Sequence, residues 1–514
     1  MSIEFPASSR PLAESIRFKR VWLLLVMAVG AWFRFSSLDY GVPYAVGIDE
    51  PEIMVRVIAM MKSGDYNPHF FHYPGLIFYL HLPIAVARFL AGALWGEWQT
   101  VEAIAADDFY IWSRALSAIL GVLTIGIVYA IGKRWGTREA LLAAAIMAIM
   151  PLHVRESRYV LADVPATFFV AMTWLATLLA QERQTTFAFV VAGAVAGLST
   201  AIKYHVGLVL LIPLLAACVP TTVPAAGRVT GVLAAFAGAF LAGAPYTVLD
   251  LTGFLNSFAN LLVSFPARAP GAEPGVVIYL KHLRLNLGWP LFLVAALGLA
   301  FSIWRSIAGP DRARWALLAL FPSVFLYAIA GRHQIYARYL LPMLPFVAVM
   351  SASVLPAATA ALGSRLRSRL ARGVLSGAIT VGVLAVPVVV SVQHLQMLAT
   401  PTTLARAYAW ITTNVPTGSS LVVETFDIRF PTGRYEVRHV PRLAAEQVSF
   451  YREQGVRYLV ANSRSYGPFL ANPEDNPTLT SRYLTLFRAV REVTRFSPGP
   501  DRTGPEIRIL AVDP

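Results

Sequence analysis

Long apolar blocks alternate with short polar connectors over the first four-fifths of the chain. The blocks at about 21–37, 111–132, 138–153, 163–181, 187–203, 205–220, 229–246, 286–304, 315–331, 339–356 and 373–394 approach the ~20 residues that cross a bilayer as a helix. They predict a helical bundle of about eleven crossings. A further block at about 75–95 is assigned to the outer face. Were it to cross, the acidic loop Glu97–Asp108 would be inside and Lys133-Arg134 outside, against the rule that basic loops stay in the cytoplasm. With that assignment Lys133, Arg134, Arg138, Arg183, Arg228, the 305–314 segment, Arg365, Arg367, Arg369 and Arg372 all fall inside. Arg10, Arg17, Lys19 and Arg20 precede the first span, which lacks a cleavage pattern and reads as a retained anchor. The odd number of crossings then places Asp49 and the C-terminal tail outside together.

The pattern changes near residue 396. Leu421-Val422-Val423, Val456–Val460 and Ile507–Val512 read as strands, and Leu443–Gln454 as an amphipathic helix ending at Gly455. The chain therefore divides into a membrane domain, 1–395, with an external loop at 38–109 carrying interfacial helices, and a small external α/β domain, 396–514.

Composition sharpens this picture. Of 514 residues 56% are hydrophobic and 14% charged, where a soluble protein carries roughly a quarter charged. The formal charge of +14 sits in connectors between apolar blocks, which membrane orientation explains and nucleic-acid binding does not. Cys218 is the only cysteine, so an intramolecular disulfide and a CxxC metal site are excluded.

The stretch Gly47-Ile48-Asp49-Glu50-Pro51-Glu52 follows the first span directly. Asp49 reads as an N-cap, Pro51 stands at the first helical turn, and Gly64 closes the helix. Ile53, Met54, Val57, Ile58 and Met61 share one face, with Glu52, Arg56 and Lys62 opposite, as in a helix lying in the membrane surface. Capping alone explains many loop aspartates. Here two acids stand at the water–lipid boundary beside the aromatic, proline-broken segment Tyr66–Tyr79, which favours a functional site. Asp163, before Pro165, reads equally as a cap and as a ligand. Lys203, between two apolar blocks, either snorkels to headgroups or holds a phosphate. Arg332 and Arg338-Tyr339 lie in a basic external loop, and an anionic ligand accounts for them better than interfacial anchoring. His72 and Tyr73 carry less information alone. HExxH, GxxxxGK[ST] and GxGxxG are absent.

These residues form an ordered series. The external Asp49-Glu50, the His72-Tyr73-Pro74 segment, Arg114-Ala-Leu-Ser-Ala, Pro151-Leu-His-Val, Ser157-Arg-Tyr with Asp163, Gly197 with Lys203-Tyr204, Ala244-Pro-Tyr and Arg338-Tyr-Leu-Leu-Pro342 follow one another. Over roughly the first 350 residues the chain resembles the GT-C lipid-carrier-dependent glycosyltransferases, related to protein O-mannosyltransferases and aminoarabinose transferases. The resemblance implies Asp49 as catalytic base, Glu50 as its partner and Asp163 as a second acid. It places Tyr73, Lys203, Arg338 and Tyr339 near the carrier phosphate, and Arg332 joins them through its basic loop. Tyr73 stands where aminoarabinose transferases carry a lysine, so the likeness does not extend to that sugar.

A polyprenyl phosphate leaves as a stable anion, so one base on the acceptor hydroxyl can suffice. Lys203 and Arg338, or a divalent metal, would then stabilise charge on the phosphate. The expected protein is thus a multi-pass glycosyltransferase of the inner (plasma) membrane. It would move a sugar from a polyprenyl-phosphate carrier to a hydroxyl on a protein, glycan or lipid outside the membrane. A transporter or flippase is the principal alternative. It would place charges in the middle of broken helices and show matched halves. A non-catalytic scaffold is the third.

Overall fold

The computed structural model describes residues 10–42, 49–220, 224–425, 428, 430, 433–499 and 502–512, with side chains from residue 19. Gly47, Ile48 and the side chains of Arg10 and Arg17 lie outside the described residues. Two compact units emerge: Met1–Leu38 with Asp49–Val392, and Asp39–Ile48 with Gln393–Pro514.

The first unit is helical throughout. It begins with α1 (Arg10–Phe35), α2 (Glu50–Ser63), α3 (Leu76–Leu94), α4 (Tyr110–Gly132), α5 (Thr137–Ile149), α6 (Pro151–Glu156), α7 (Asp163–Arg183) and α8 (Thr186–Ile202). After a 3-10 turn, Tyr204–Leu210, come α9 (Leu211–Cys218), α10 (Ala225–Gly243), α11 (Tyr246–Leu249), α12 (Leu251–Ser264), α13 (Gly275–Ala308) and α14 (Arg312–Ala330). A second 3-10 turn, Ala337–Met343, leads into α15 (Leu344–Gly363) and α16 (Arg369–Leu398).

All the blocks expected to cross are helical, but not all are equally long. Among the described residues, 8 helical segments are long and apolar enough to cross a bilayer, while Thr186–Ile202 and Tyr204–Cys218 are apolar but shorter. α5 has only 13 residues, about 20 Å at 1.5 Å per residue. It stops there because Met150 turns extended and Pro151 starts a new helix.

By length and composition α3 could cross a bilayer, and contacts near both of its ends tie it into the unit. Just before it, the Tyr73 hydroxyl lies 3.4 Å from Asp49. Beyond it, Trp98 stacks on both Phe89 of α3 and Phe109, at ring separations of 6.3 and 5.7 Å. Phe109 opens α4, whose Arg114 bonds Glu50.

Two glycine features shape the bundle. Gly193 and Gly197 face the Val232 and Phe236 carbonyls, where a Cβ would not fit, so α8 and α10 pack backbone to backbone. Gly288 breaks α13 with φ 69° and ψ 163°, a conformation that a Cβ disfavours, and it also packs against Val386. The expected span at 286–304 starts at that break.

α2 forms as its pattern predicts, with Gly64 at φ 70° closing it. Its apolar face has a different partner from the one expected. Ile53, Met54, Val57 and Ile58 are buried within the unit, so this face packs on protein and not on lipid.

The second unit is an α/β module. Its strands are β1 (Ser420–Glu424), β2 (Glu436–Val440), β3 (Tyr458–Asn462), β4 (Arg491–Phe496) and β5 (Ile507–Ala511), in the order β2-β1-β3-β5-β4. β1 pairs parallel to β2 and β3, whereas β5 runs antiparallel to β3 and β4. Alternation splits the core across the sheet. Leu421, Val423, Val460 and Ile509 meet Leu404 and Ile411 of α17 (Thr403–Asn414). Val422, Leu459 and Leu510 meet Tyr451 of α18 (Val448–Glu453), Tyr466 of α19 (Ser463–Ala471) and Tyr483 of α20 (Pro477–Ala489). β2 and β4, absent from the sequence reading, are the edge strands. Their polar patterns expose them to water and hide the period-two signal.

Candidate functional site

Asp49 occupies the N-cap position of α2, but its side chain makes no capping bond. Instead Oδ2 accepts from Arg338 Nη2 at 2.6 Å. Asp163 is the first residue of α7, and its Oδ1 accepts from Lys203 Nζ at 2.6 Å. Arg338 Nε also lies 3.9 Å from Asp163 Oδ2. Two acids and two cations from four elements thus form one closed group, with no net charge when all are ionised.

Lys203 is held there by local structure. It stands where α8 ends and the 3-10 turn begins, in extended backbone with φ −154° and ψ 119°, which points it away from the helix surface. Its ammonium sits 4.6 Å from the centre of the Tyr339 ring, a favourable cation–π arrangement. The Tyr339 ring also faces His205, at a centroid separation of 5.3 Å. Arg338 has Tyr336 beneath its guanidinium, at 5.0 Å.

Tyr73 reaches the group through its hydroxyl. Burial, aided by the Asp49 and Asp163 carboxylates, pushes its pKa up, so it stays a neutral donor. Close to the group, Glu156 is buried beside Arg155, at 2.6 Å. Burial raises its pKa against the opposing pull of that arginine.

A cavity of about 750 Å³ opens beside these residues. Asp49, Tyr73, Lys203, Tyr339 and Arg332 line one part, with His72 and His205. Leu208, Phe258, Leu261, Leu262, Phe265 and Ile329 make an apolar wall. The sequence reading passed over this wall. Its signal was the apolar spacing of Phe254, Phe258, Leu261 and Leu262 in α12, a stretch too short to be read as a crossing. Arg332 is tied to the wall by a bond from Nη1 to the Phe265 carbonyl, at 3.2 Å.

Glu50 is placed elsewhere. It is fully buried, accepts two bonds from Arg114 (2.8 and 2.6 Å) and a third from the Val160 amide (2.8 Å). Arg114 in turn donates to the Leu38 carbonyl at 2.7 Å. The pair clamps α2, α4, the end of α1 and the turn before α7, and Glu50 does not line the cavity. Arg338 also differs from expectation: it stands behind Asp49, and Asp49 faces the cavity. Among the described residues no three His, Cys, Asp or Glu side chains are grouped to hold a metal. Asp49 and Asp163 are each engaged by a cation already.

Comparison with known proteins gives the class of the fold. Residues 106–256 match the family described as dolichyl-phosphate-mannose-protein mannosyltransferase. No curated protein matches the chain. Among solved structures, ArnT from Cupriavidus metallidurans bound to undecaprenyl phosphate superposes with a TM-score of 0.59 at 15% identity, covering 96% of this chain and 98% of that one. The Archaeoglobus fulgidus oligosaccharyltransferase gives 0.53 at 15% identity, over 96% of this chain and 75% of that one. The same archaeal enzyme in complex with an inhibitory peptide and a dolichol-phosphate gives 0.53 at 14%, over 87% and 69%. The chain has the fold of the GT-C lipid-carrier glycosyltransferases, as its ordered motifs indicated.

Proposed function

We propose that this protein is an inverting membrane glycosyltransferase, moving a sugar from a polyprenyl-phosphate carrier to an acceptor hydroxyl. One observation supports this above the rest: a single cavity joins an acid and a cation, Asp49 and Lys203, to a long apolar wall. A prenyl chain fits the wall and a phosphate fits Lys203, with Arg332 and Tyr339 beside it. Asp49 accepts the proton of the acceptor hydroxyl. The acceptor oxygen then bonds to the anomeric carbon, and the bond from that carbon to the phosphate oxygen breaks. The electron pair stays on the phosphate, where Lys203 stabilises the added charge. Attack opposite the leaving group inverts the anomeric centre.

ArnT bound to undecaprenyl phosphate and the archaeal oligosaccharyltransferase with dolichol-phosphate support the carrier class. The distribution of basic connectors supports a site outside the cytoplasm in the plasma membrane, with the C-terminal domain on the same side. Mass spectrometry of products from a panel of undecaprenyl-phosphate hexoses and pentoses tests the reading. Sugar transfer with loss of the carrier supports it. Failure of the chain both to bind undecaprenyl phosphate and to consume any donor sinks it.

A further inference from the structure

We infer that Arg338 is the positioning residue of Asp49, and that Lys203 is the principal cation for the carrier phosphate. This deepens the glycosyltransferase reading and rests on it. The two cations differ in where they stand. Lys203 lines the cavity with Asp163 behind it, while Asp49 lines the cavity with Arg338 behind it. A phosphate entering the cavity meets the ammonium directly. It reaches the guanidinium only past a carboxylate of its own sign.

The arrangement suits a base. Arg338 approaches Oδ2 of Asp49 and Tyr73 approaches the same oxygen, at 2.6 and 3.4 Å. Both donors hold that oxygen, which leaves Oδ1 to accept the acceptor's proton. Arg338 therefore aims the carboxylate, as the planar fork of a guanidinium does for a carboxylate it binds. Among the described residues, the other charged and titratable groups around Asp49 are Lys203 from the end of α8, Asp163 from the start of α7, Tyr339 from the second 3-10 turn and Glu52 on its own helix, with His72, Tyr204, His205 and Arg332 lining the same cavity.

Two readouts on the full-length protein in lipid nanodiscs test the assignment. The first uses no sugar donor: a water-soluble carbodiimide labels carboxyls that are free to react, and peptide mass spectrometry follows Asp49 at one fixed pH. Labelling of Asp49 should be several-fold faster in R338A and R338Q, where the carboxylate is released from its ion pair, and stay near wild type in R338K. The second is binding of undecaprenyl phosphate, which K203A should weaken more than tenfold and R338A no more than about threefold.

Unmoved labelling in both R338A and R338Q overturns the inference. So does a loss of undecaprenyl phosphate affinity in R338A equal to that in K203A. If wild type fails to bind undecaprenyl phosphate at all, the function proposed above falls. The labelling rate would still decide whether Arg338 governs Asp49.

Discussion

Glu50 and Arg114, 64 residues apart in the chain, meet in a doubly bonded ion pair closed to solvent, although Asp49, one residue earlier, faces the cavity. Adjacent acids thus have opposite surroundings, because the first turn of α2 points them in different directions. Removing one partner of such a pair leaves a buried, uncompensated charge, which costs about 3–5 kcal/mol. Glu50→Ala and Arg114→Ala should each lower the midpoint of thermal unfolding in detergent, and the double variant should lose less than the sum. A Glu50 that acted only on substrate would leave the midpoint unchanged.

Asp49→Asn separates chemistry from folding. The side chain caps nothing and is partly exposed, so little of the fold depends on its charge. Transfer of sugar from the donor that wild type consumes should fall by about 10²–10⁴-fold, the range of a lost general base. The unfolding midpoint should stay within a few degrees. Turnover close to wild type would reject Asp49 as the base.

The sequence carried the membrane unit further than the second one. Apolar length located the helices, because a helix that crosses a bilayer needs roughly 20 apolar residues. For α3 the two sequence signals disagree, since it is long and apolar enough to cross while the charges of the connectors after it argue for the outer face. The charged group at the cavity was legible as types, since Asp49, Asp163, Lys203 and Arg338 are each out of place near lipid. Who pairs with whom was not legible. That depends on the extended backbone at Lys203 and on the 3-10 turn that brings Arg338 forward, and neither leaves a periodic trace. β2 and β4 escaped for a related reason: edge strands are half exposed, and their polar residues leave too few apolar positions for an alternation to stand out.

The second unit has its own acid, Glu424, at the end of β1. Its Oε1 accepts from the Leu443 amide at 2.8 Å and the Tyr483 hydroxyl at 2.6 Å, and Oε2 accepts from the Asn462 amide at 2.8 Å. Burial raises its pKa above the ordinary 4.5, with those bonds opposing. The folded unit therefore keeps a proton at pH values where the unfolded chain has released it. Stability should fall as pH rises from 4.5 to the higher folded value, then level off. Hydrogen exchange of peptides within 420–462, corrected for the intrinsic rate, should show that slope, and Glu424→Gln should remove it. The variant should also be less stable at neutral pH by about 1–3 kcal/mol, since its amide opposes an N–H donor. An unchanged slope would assign the effect to another group.

The apolar wall offers the last test, because it separates the carrier's tail from its head. Phe258 and Leu261 on α12 line the cavity together with Leu208, and the Phe258 ring lies 5.3 Å from that of Tyr204, beside Lys203. A prenyl chain laid along this wall would bury each of these side chains against its isoprene units. Losing one such contact is worth roughly 1.5–3 kcal/mol for a full side chain, or about ten- to a hundredfold in affinity. Phe258→Ala and Leu261→Ala should weaken undecaprenyl phosphate by that factor. Binding of a phosphate with a single isoprene unit should change less, since its tail reaches only the part of the wall beside Lys203. Isothermal or thermophoretic titration with both chain lengths reads the difference directly. Equal losses for the long and short carriers would mean that α12 shapes the phosphate end of the cavity and that the tail runs elsewhere.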